Sequence, residues 1–532
     1  MIMKRIELIT ILLILSLAAI AAAGAEAAPA RADVDELIYE AREAAAADRH
    51  LEAIAFFEKA CAIDSALVAL LGKEIGYQYT WSDRPDEAIP YFEAYIARYP
   101  EDPEGLLGYA LALSWADRHE ESLEHYRSIK GRHPHSLEAH IGEARVVSWM
   151  DRNSEAELLY RKSLYFDPTN LDARLGLAQV VNWQGRHREA RAHYRDILSD
   201  HPGNRDATLG LAQAEAWLGR GDRARELLEG LEGDREAEKL LAGIDRESSS
   251  SVRIDYGISE DSDELVMHRF EGGAIYYIDD LTSIGVFAGR LSMRQDDRPH
   301  IVVKSLSFRL FRRFDENFSI HFDLKPLRTD FFDPFTFDSW LTWTPSWRLR
   351  LDLGAYHQIV ETPTSVMREI SAKGSNLGID VRASDRITVS GMFDHRRYAD
   401  SNRRTLWGTS VSWLAIKRPV ELSVVPGYMG FAFTRWEDNG YYSPEEYHNI
   451  GLAVKLRYGA IKNVRLTGEG RVSAEKEGGG DFFTVGSFRA AMEHDMHERA
   501  TWGLEFSTSN SSLAGEAGYG RTLGQVFLVI RL

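Results

Sequence analysis

One spacing limits what this chain can fold into. Trp81, Trp115, Trp149, Trp183 and Trp217 stand 34 residues apart. Trp is a rare residue, so five in register mean that one structural unit has been copied. A period of 34 fits a two-helix unit that cannot bury its apolar face alone and stacks on its copies to form a solenoid.

Other residue types keep the same register. Pro100, Pro134, Pro168 and Pro202 form one column, and Gly108, Gly142, Gly176 and Gly210 another. Arg84, Arg118, Arg152, Arg186 and Arg220 follow each Trp by three. Small residues recur at Ala110, Ala144, Ala178 and Ala212, where a first helix (A) must approach its neighbour. Ala88, Ser122, Ala156, Ala190 and Ala224 supply the matching small residue of the second helix (B), and Phe92, Tyr126, Tyr160 and Tyr194 its large aromatic. Each Pro ends helix B, since it cannot donate to a helix and restricts the residue before it. Gly185-Arg186 and Gly219-Arg220 make the tight A–B turn, with Asp117-Arg118 and Asp151-Arg152 in the same slot. These columns resemble the tetratricopeptide repeat. The large aromatic usual early in helix A is replaced by Leu106, His140, Arg174 and Thr208. About six repeats are expected over residues 33–247, closed by a helix near Glu232–Glu247 with a polar outer face.

The Trp falls at the thirteenth position of the repeat, near the end of helix A. The resemblance implies that this position faces a concave groove, as does the second position, held by Glu104, Glu138, Asp172 and Asp206. Two readings stand. The indoles form a stripe for a ligand, with the carboxylates and residues such as Ser114, Ser148 and Asn182 beside it. Indole faces stack on the C–H faces of sugar rings, and carboxylates accept hydroxyl hydrogen bonds. Alternatively each indole packs between adjacent A helices as core.

Composition narrows the partners. Net charge is −18. Between Glu26 and Ser250 there are 27 Lys and Arg against 43 Asp and Glu; after Ser250 the numbers are 34 and 37. The acidity therefore belongs to the repeats. It argues against nucleic acid, which needs the opposite sign, and favours a cationic or neutral ligand. Residues 1–28 read as a secretory signal peptide: Lys4 and Arg5, an apolar run from Leu8 to Ala23, then Ala-x-Ala sites. The single cysteine, Cys61, allows no internal disulfide and no thiolate zinc site, and is expected to be buried in a helix. The histidines between His119 and His140 lack a metal-ligand spacing, so neither metal nor cofactor is expected.

After a polar linker at 248–251 the pattern changes from helical to alternating. Phe318, Ile320, Phe322 and Leu324 alternate with Ser319, His321, Asp323 and Lys325. Trp502, Leu504 and Phe506 alternate with Gly503, Glu505 and Ser507. These are strands with one apolar and one polar face. About 16 such segments fit residues 252–532, the pattern of an antiparallel transmembrane β-barrel. A soluble β-sandwich or β-helix is the competing architecture. Phe331-Phe332, Trp340, Trp343, Trp347, Tyr441-Tyr442 and Phe482-Phe483 stand near strand ends, where a barrel carries its aromatic girdle. The lumen would carry Arg348, Arg350, Asp352, Asp394, Arg396, Glu469, Arg471 and Glu505. These charges either line a hydrated passage or pair with one another and plug it.

A multidomain α + β chain, an α-solenoid of tetratricopeptide repeats followed by an outer-membrane barrel, resembles the exopolysaccharide exporters for poly-N-acetylglucosamine and cellulose. The repeat pattern at Ala178–Ala190 is most similar to YaiO-type outer-membrane proteins. The resemblance implies outer-membrane lipid as one partner, a polysaccharide or a periplasmic protein as another, a repeat domain in the periplasm, and a role in polysaccharide export. A monomer without enzymatic activity is expected. Gly-x-Ser-x-Gly, His-Glu-x-x-His and P-loop motifs are absent. The alternatives are a periplasmic scaffold on a closed barrel and, further off, an outer-membrane hydrolase.

Overall fold

The computed structural model describes residues 31–417, 420–459, 461–497, 499–511 and 520–532. The expected signal peptide lies outside them. Helices pair from the start: Arg31–Ala46 with His50–Ile63, Leu67–Trp81 with Pro85–Arg98, Pro103–Trp115 with His119–Arg132, Leu137–Trp149 with Asn153–Phe166, Leu171–Trp183 with His187–Asp200, and Arg205–Trp217 with Gly221–Leu228. A last helix, Arg235–Glu247, buries only Ala237 and Ile244 and turns its charged face outward. Cys61 lies in the second helix but is half-buried at the edge of the core, packed against its cluster rather than within it.

Each column of the repeat has a visible cause. The second to fifth B helices each end two residues before a Pro, at Arg98, Arg132, Phe166 and Asp200. The A–B turn needs one left-handed residue, supplied by Asp83, Asp117 and Asp151 at φ of 57 to 63° and by Gly185 and Gly219 at 80° and 76°. The Arg after it clamps the first-turn Glu of helix B, as in Arg118–Glu121, Arg152–Glu155 (2.5 Å) and Arg186–Glu189 (2.6 Å). Ala110, Ala144, Ala178 and Ala212 are wholly buried. The Gly column seats the aromatic of the preceding helix B. A Cβ on Gly142, Gly176 or Gly210 would stand 2.3 Å from the ring of Tyr126, Tyr160 or Tyr194.

The chain divides into two compact units, Met1–Gly176 and Leu177–Leu532. The second unit therefore holds the last helices together with the barrel, and the linker at 248–251 does not separate two bodies. Ion pairs explain this. Glu316, in the turn before the strand Phe318–Arg328, accepts from Arg188 at 2.5 Å and from Arg191. Arg225 donates to Asp280 in another turn at 2.7 Å and to Ser248 at 2.9 Å. In the last repeat Arg223 replaces the clamping Glu, and Arg220 instead meets the buried Glu215 at 3.5 Å and Glu316 at 3.6 Å.

Sixteen antiparallel strands, from β1 (Ser251–Asp261) to β16 (Arg521–Arg531), close into a barrel, with β1 paired to β16 along its whole length. Closure removes every unpaired edge. Outward positions are apolar and exposed, such as Ile254, Tyr256 and Ile258, or Ile450, Leu452, Val454 and Leu456. Inward positions alternate with them. Connections differ at the two ends. The end where the chain enters and finishes has short turns, such as Asp280-Leu281 and Trp347-Arg348. The other end carries longer connections, including 360–370 with a short helix, Pro363–Met367, and 434–445.

Candidate functional site

The indoles are the last residues of the A helices. They are not core. In the first unit Trp81 is 49 % exposed and Trp115 41 %, while Trp149 is half-buried. In the second unit Trp183 and Trp217 are also exposed. Position on the helix explains this: the left-handed turn residue stands two places on, so the ring hangs off the helix end instead of entering the helix–helix seam. Trp81 stacks on Tyr77 with centroids 5.1 Å apart. Histidines at the start of alternate B helices support others: His50 lies 5.7 Å from Trp81, His119 5.9 Å from Trp149, and His187 4.9 Å from Trp217. Burial, aided by the charge of Arg382, pushes His187 down to about 4. It therefore stays neutral beside Trp217 at ordinary pH.

The four carboxylates do not stand beside the indoles. Glu104, Glu138, Asp172 and Asp206 occupy the first turn of helix A, one residue into the helix. Eleven residues at 1.5 Å put each about 16 Å from the Trp at the other end. First-turn acids offset the helix macrodipole, which is a structural reason for the column. All four are exposed. Lys73 donates to Glu104 at 2.7 Å, Ser136 to Glu138 at 3.3 Å and Arg205 to Asp206 at 2.9 Å, with Arg145 3.7 Å from Asp172. Ser114, Ser148 and Asn182, expected on the groove, are buried. The two serines donate to carbonyls of their own helix, at 2.6 Å each. The Gly column is covered by the rings of Phe92, Tyr126, Tyr160 and Tyr194.

In the barrel, seven of the eight expected lumen residues lie on inward strand positions. Arg348 does not: it sits in the turn, its guanidinium 4.8 Å over the Trp347 ring. The inward charges pair along and across strands. Arg350 donates to Asp352 at 2.9 Å, Arg404 to Asp394 at 2.9 Å, and Arg489 to Glu505 at 2.7 Å. Arg396 donates to Tyr356 at 2.9 Å, and Glu469 lies 3.5 Å from Lys455 and 3.4 Å from Arg471. Cavities remain inside. One of about 820 Å³ is bordered by Arg253, Arg269, Glu271, Arg309 and Asp323; another of about 450 Å³ is rich in serine.

Toward the long connections the inward face turns apolar. Met267, Leu291, Met293, Ile301, Val303, Leu327 and Ile359 form one buried layer, with Val366 of the short helix at 0 % exposure inside it. Tyr398, Leu406, Phe431, Phe433 and Tyr447 form a second layer with Val360, Ile370 and Tyr441. Phe332 and Tyr442 pack against these layers. Those two and Tyr441 are thus interior residues and not girdle. Trp340 pairs with His321 and Gly354, and Phe483 with the buried Glu475, on the inward register, whereas Trp343 pairs with Phe318 and Leu351 on the outward one and is exposed near its strand end. The sequence does signal the short helix: alternation ends at Ile359, and Thr362 caps a helix opening on Pro363. Nothing local signals that it folds inward.

These features define a tetratricopeptide-repeat solenoid joined to a closed sixteen-strand barrel. A closed barrel with an apolar exterior fits an outer-membrane protein. Tetratricopeptide repeat models match residues 82–136 and 183–244. No curated protein matches the chain. Among solved structures it is similar to one described as a bacterial polysaccharide outer membrane secretin, at 12 % identity and a TM-score of 0.46, covering 54 % of this chain and 99 % of that one. It is similar to a tetratricopeptide repeat protein from Parabacteroides merdae ATCC 43184, at 19 % identity and 0.35, covering 40 % and 86 %. It is also similar to PilW, a type IV pilus biogenesis factor, at 18 % identity and 0.34, covering 40 % and 100 %.

Proposed function

We propose that the protein assists export or secretion of a polysaccharide at the outer membrane, the exposed indoles holding the polymer by stacking on its sugar rings. The observation that carries this reading is the exposure of the indoles at the ends of successive A helices. A large aromatic left in water is unfavourable by about 1.5–3 kcal/mol relative to burial, and packing does not call for it there. Short turns mark the periplasmic end of barrels of this kind, so the repeats belong on the periplasmic side. The mature protein works as a monomer with no metal, cofactor or catalysed reaction.

A second reading rests on the apolar layers inside the barrel. A lumen filled at one end suits an anchor, and the repeats would then recruit a periplasmic protein. Titration of the full-length protein in detergent with cellulose-like and chitosan-like oligomers, followed by Trp fluorescence, separates the two. The export reading expects saturable binding, weakened at least about tenfold in a Trp81→Ala, Trp115→Ala double variant that keeps its helical circular dichroism. An unaltered titration in that variant, or no binding by the parent protein, would leave the scaffold reading.

A further inference from the structure

Part of the apolar layers inside the barrel is not wall. Residues 360–370 leave the wall after Ile359, enter the lumen and return at Ser371. Val366 joins the first layer, and Val360 and Ile370 join the second, so this one segment bridges both. It is tied to the connection 434–445. Thr362 donates to the Gly440 carbonyl at 2.7 Å, Ser365 to the Asn439 carbonyl at 2.7 Å, and Arg368 to the Asn439 side chain at 2.6 Å. Gly440, at φ 81°, passes so close that a Cβ there would stand 2.6 Å from Thr364. The two connections therefore behave as one body. Below this body lies the 820 Å³ cavity, bordered by Glu361 from the segment and by Ile359, Met267 and Arg269 from the wall. Glu361 is ion-paired with Arg269 across that border. Their side chains are 34 % and 48 % exposed, so the pair stays in reach of water and of anything hydroxylated that fills the cavity.

We propose that residues 360–370 and 434–445 form a single gate over the charged cavity, with the Arg269–Glu361 pair as its latch. Apolar contact seats the gate. The latch is the part that a polyhydroxylated chain in the cavity can exchange, because each partner can take a sugar hydroxyl in place of the other. The inference rests on the barrel being a passage, yet its readout is ion conductance and does not depend on saccharide binding. A gate can fail while the indoles still bind oligomers, and the reverse.

The test uses full-length protein in planar bilayers, with heat-modifiable gel migration to show that each variant is a folded barrel. The parent should be closed for most of the record. Glu361→Gln and Arg269→Gln should each raise the open fraction by up to about fivefold, the reach of one half-exposed pair. A Glu361→Cys, Arg269→Cys double variant, made in a Cys61→Ser background, should open similarly. Joining its two thiols with a short bis-maleimide should close it again. Permanently open parent channels, silent latch variants, or a double variant indifferent to the cross-link would each overturn the gate.

Discussion

Both halves of this molecule expose large aromatic and aliphatic side chains, and the exposure means different things. On the barrel it is spread over strand after strand, as at Phe270, Phe308, Trp413 and Phe488. An apolar exterior spread this evenly fits an outer-membrane barrel, and a membrane span would account for all of it. On the solenoid the exposed indoles are confined to one position per repeat, while the other aromatic column is deeply buried: Phe92 at 0 % and Tyr126, Tyr160 and Tyr194 at 3 %. No bilayer accounts for that. One repeat thus carries two aromatic columns, one that builds the stack and one that does not. Comparison with the barrel shows that exposure alone is not a functional signal; exposure that the surrounding solvent fails to explain is.

Substitutions can break this contrast in order of expected size. Tyr160→Ala should cost most, about 3–5 kcal/mol, because it empties the space against Gly176; urea unfolding followed by circular dichroism reads it. Leu452→Arg puts a charge on the lipid face and should cost about 2–4 kcal/mol if that face meets the bilayer midplane. Refolding into vesicles measures it, and a neutral result would mean that the exterior is not lipid-facing. Trp115→Ala should cost under about 1 kcal/mol, since its ring is substantially exposed and not seated between helices. A loss as large as that of Tyr160→Ala would make the indoles structural after all. Arg118→Gln, which removes only the exposed clamp on Glu121, should be smallest, because solvent screens a pair this open. The same unfolding assay ranks all the repeat variants on one scale.

Much of the repeat was legible because its columns are local. A left-handed turn residue, a Pro two places after a helix and an Ala in a helix seam are each forced by backbone sterics within one unit. The 34-residue copying makes each visible several times. The carboxylate column shows the limit. Glu104 and Trp115 keep one period and almost the same angular face, so periodicity makes them look like neighbours. Rise along the helix sets them about 16 Å apart. The lumen shows another. Alternation assigns Arg350, Asp352 and Glu505 to the inward face, but says nothing of a residue such as Arg348 once the strand has turned. Arg269 and Glu361 escaped notice because they are 92 residues apart and lie on different elements.

The sequence by itself determined the repeat, its turns and helix ends, the change to alternation after residue 251 and the two-faced strands. Each follows from interactions within a few residues or from a pattern repeated many times. Tertiary structure alone decided three further matters. The last helices join the barrel in one unit, because Glu316 and Asp280 lie in turns that only closure brings to Arg188, Arg191 and Arg225. The indoles stay partly in water, Trp149 least, because the helix ends before the ring can enter the seam. The connection after Ile359 folds into the lumen instead of over it, because only a closed barrel creates the apolar hollow that Val366 fills.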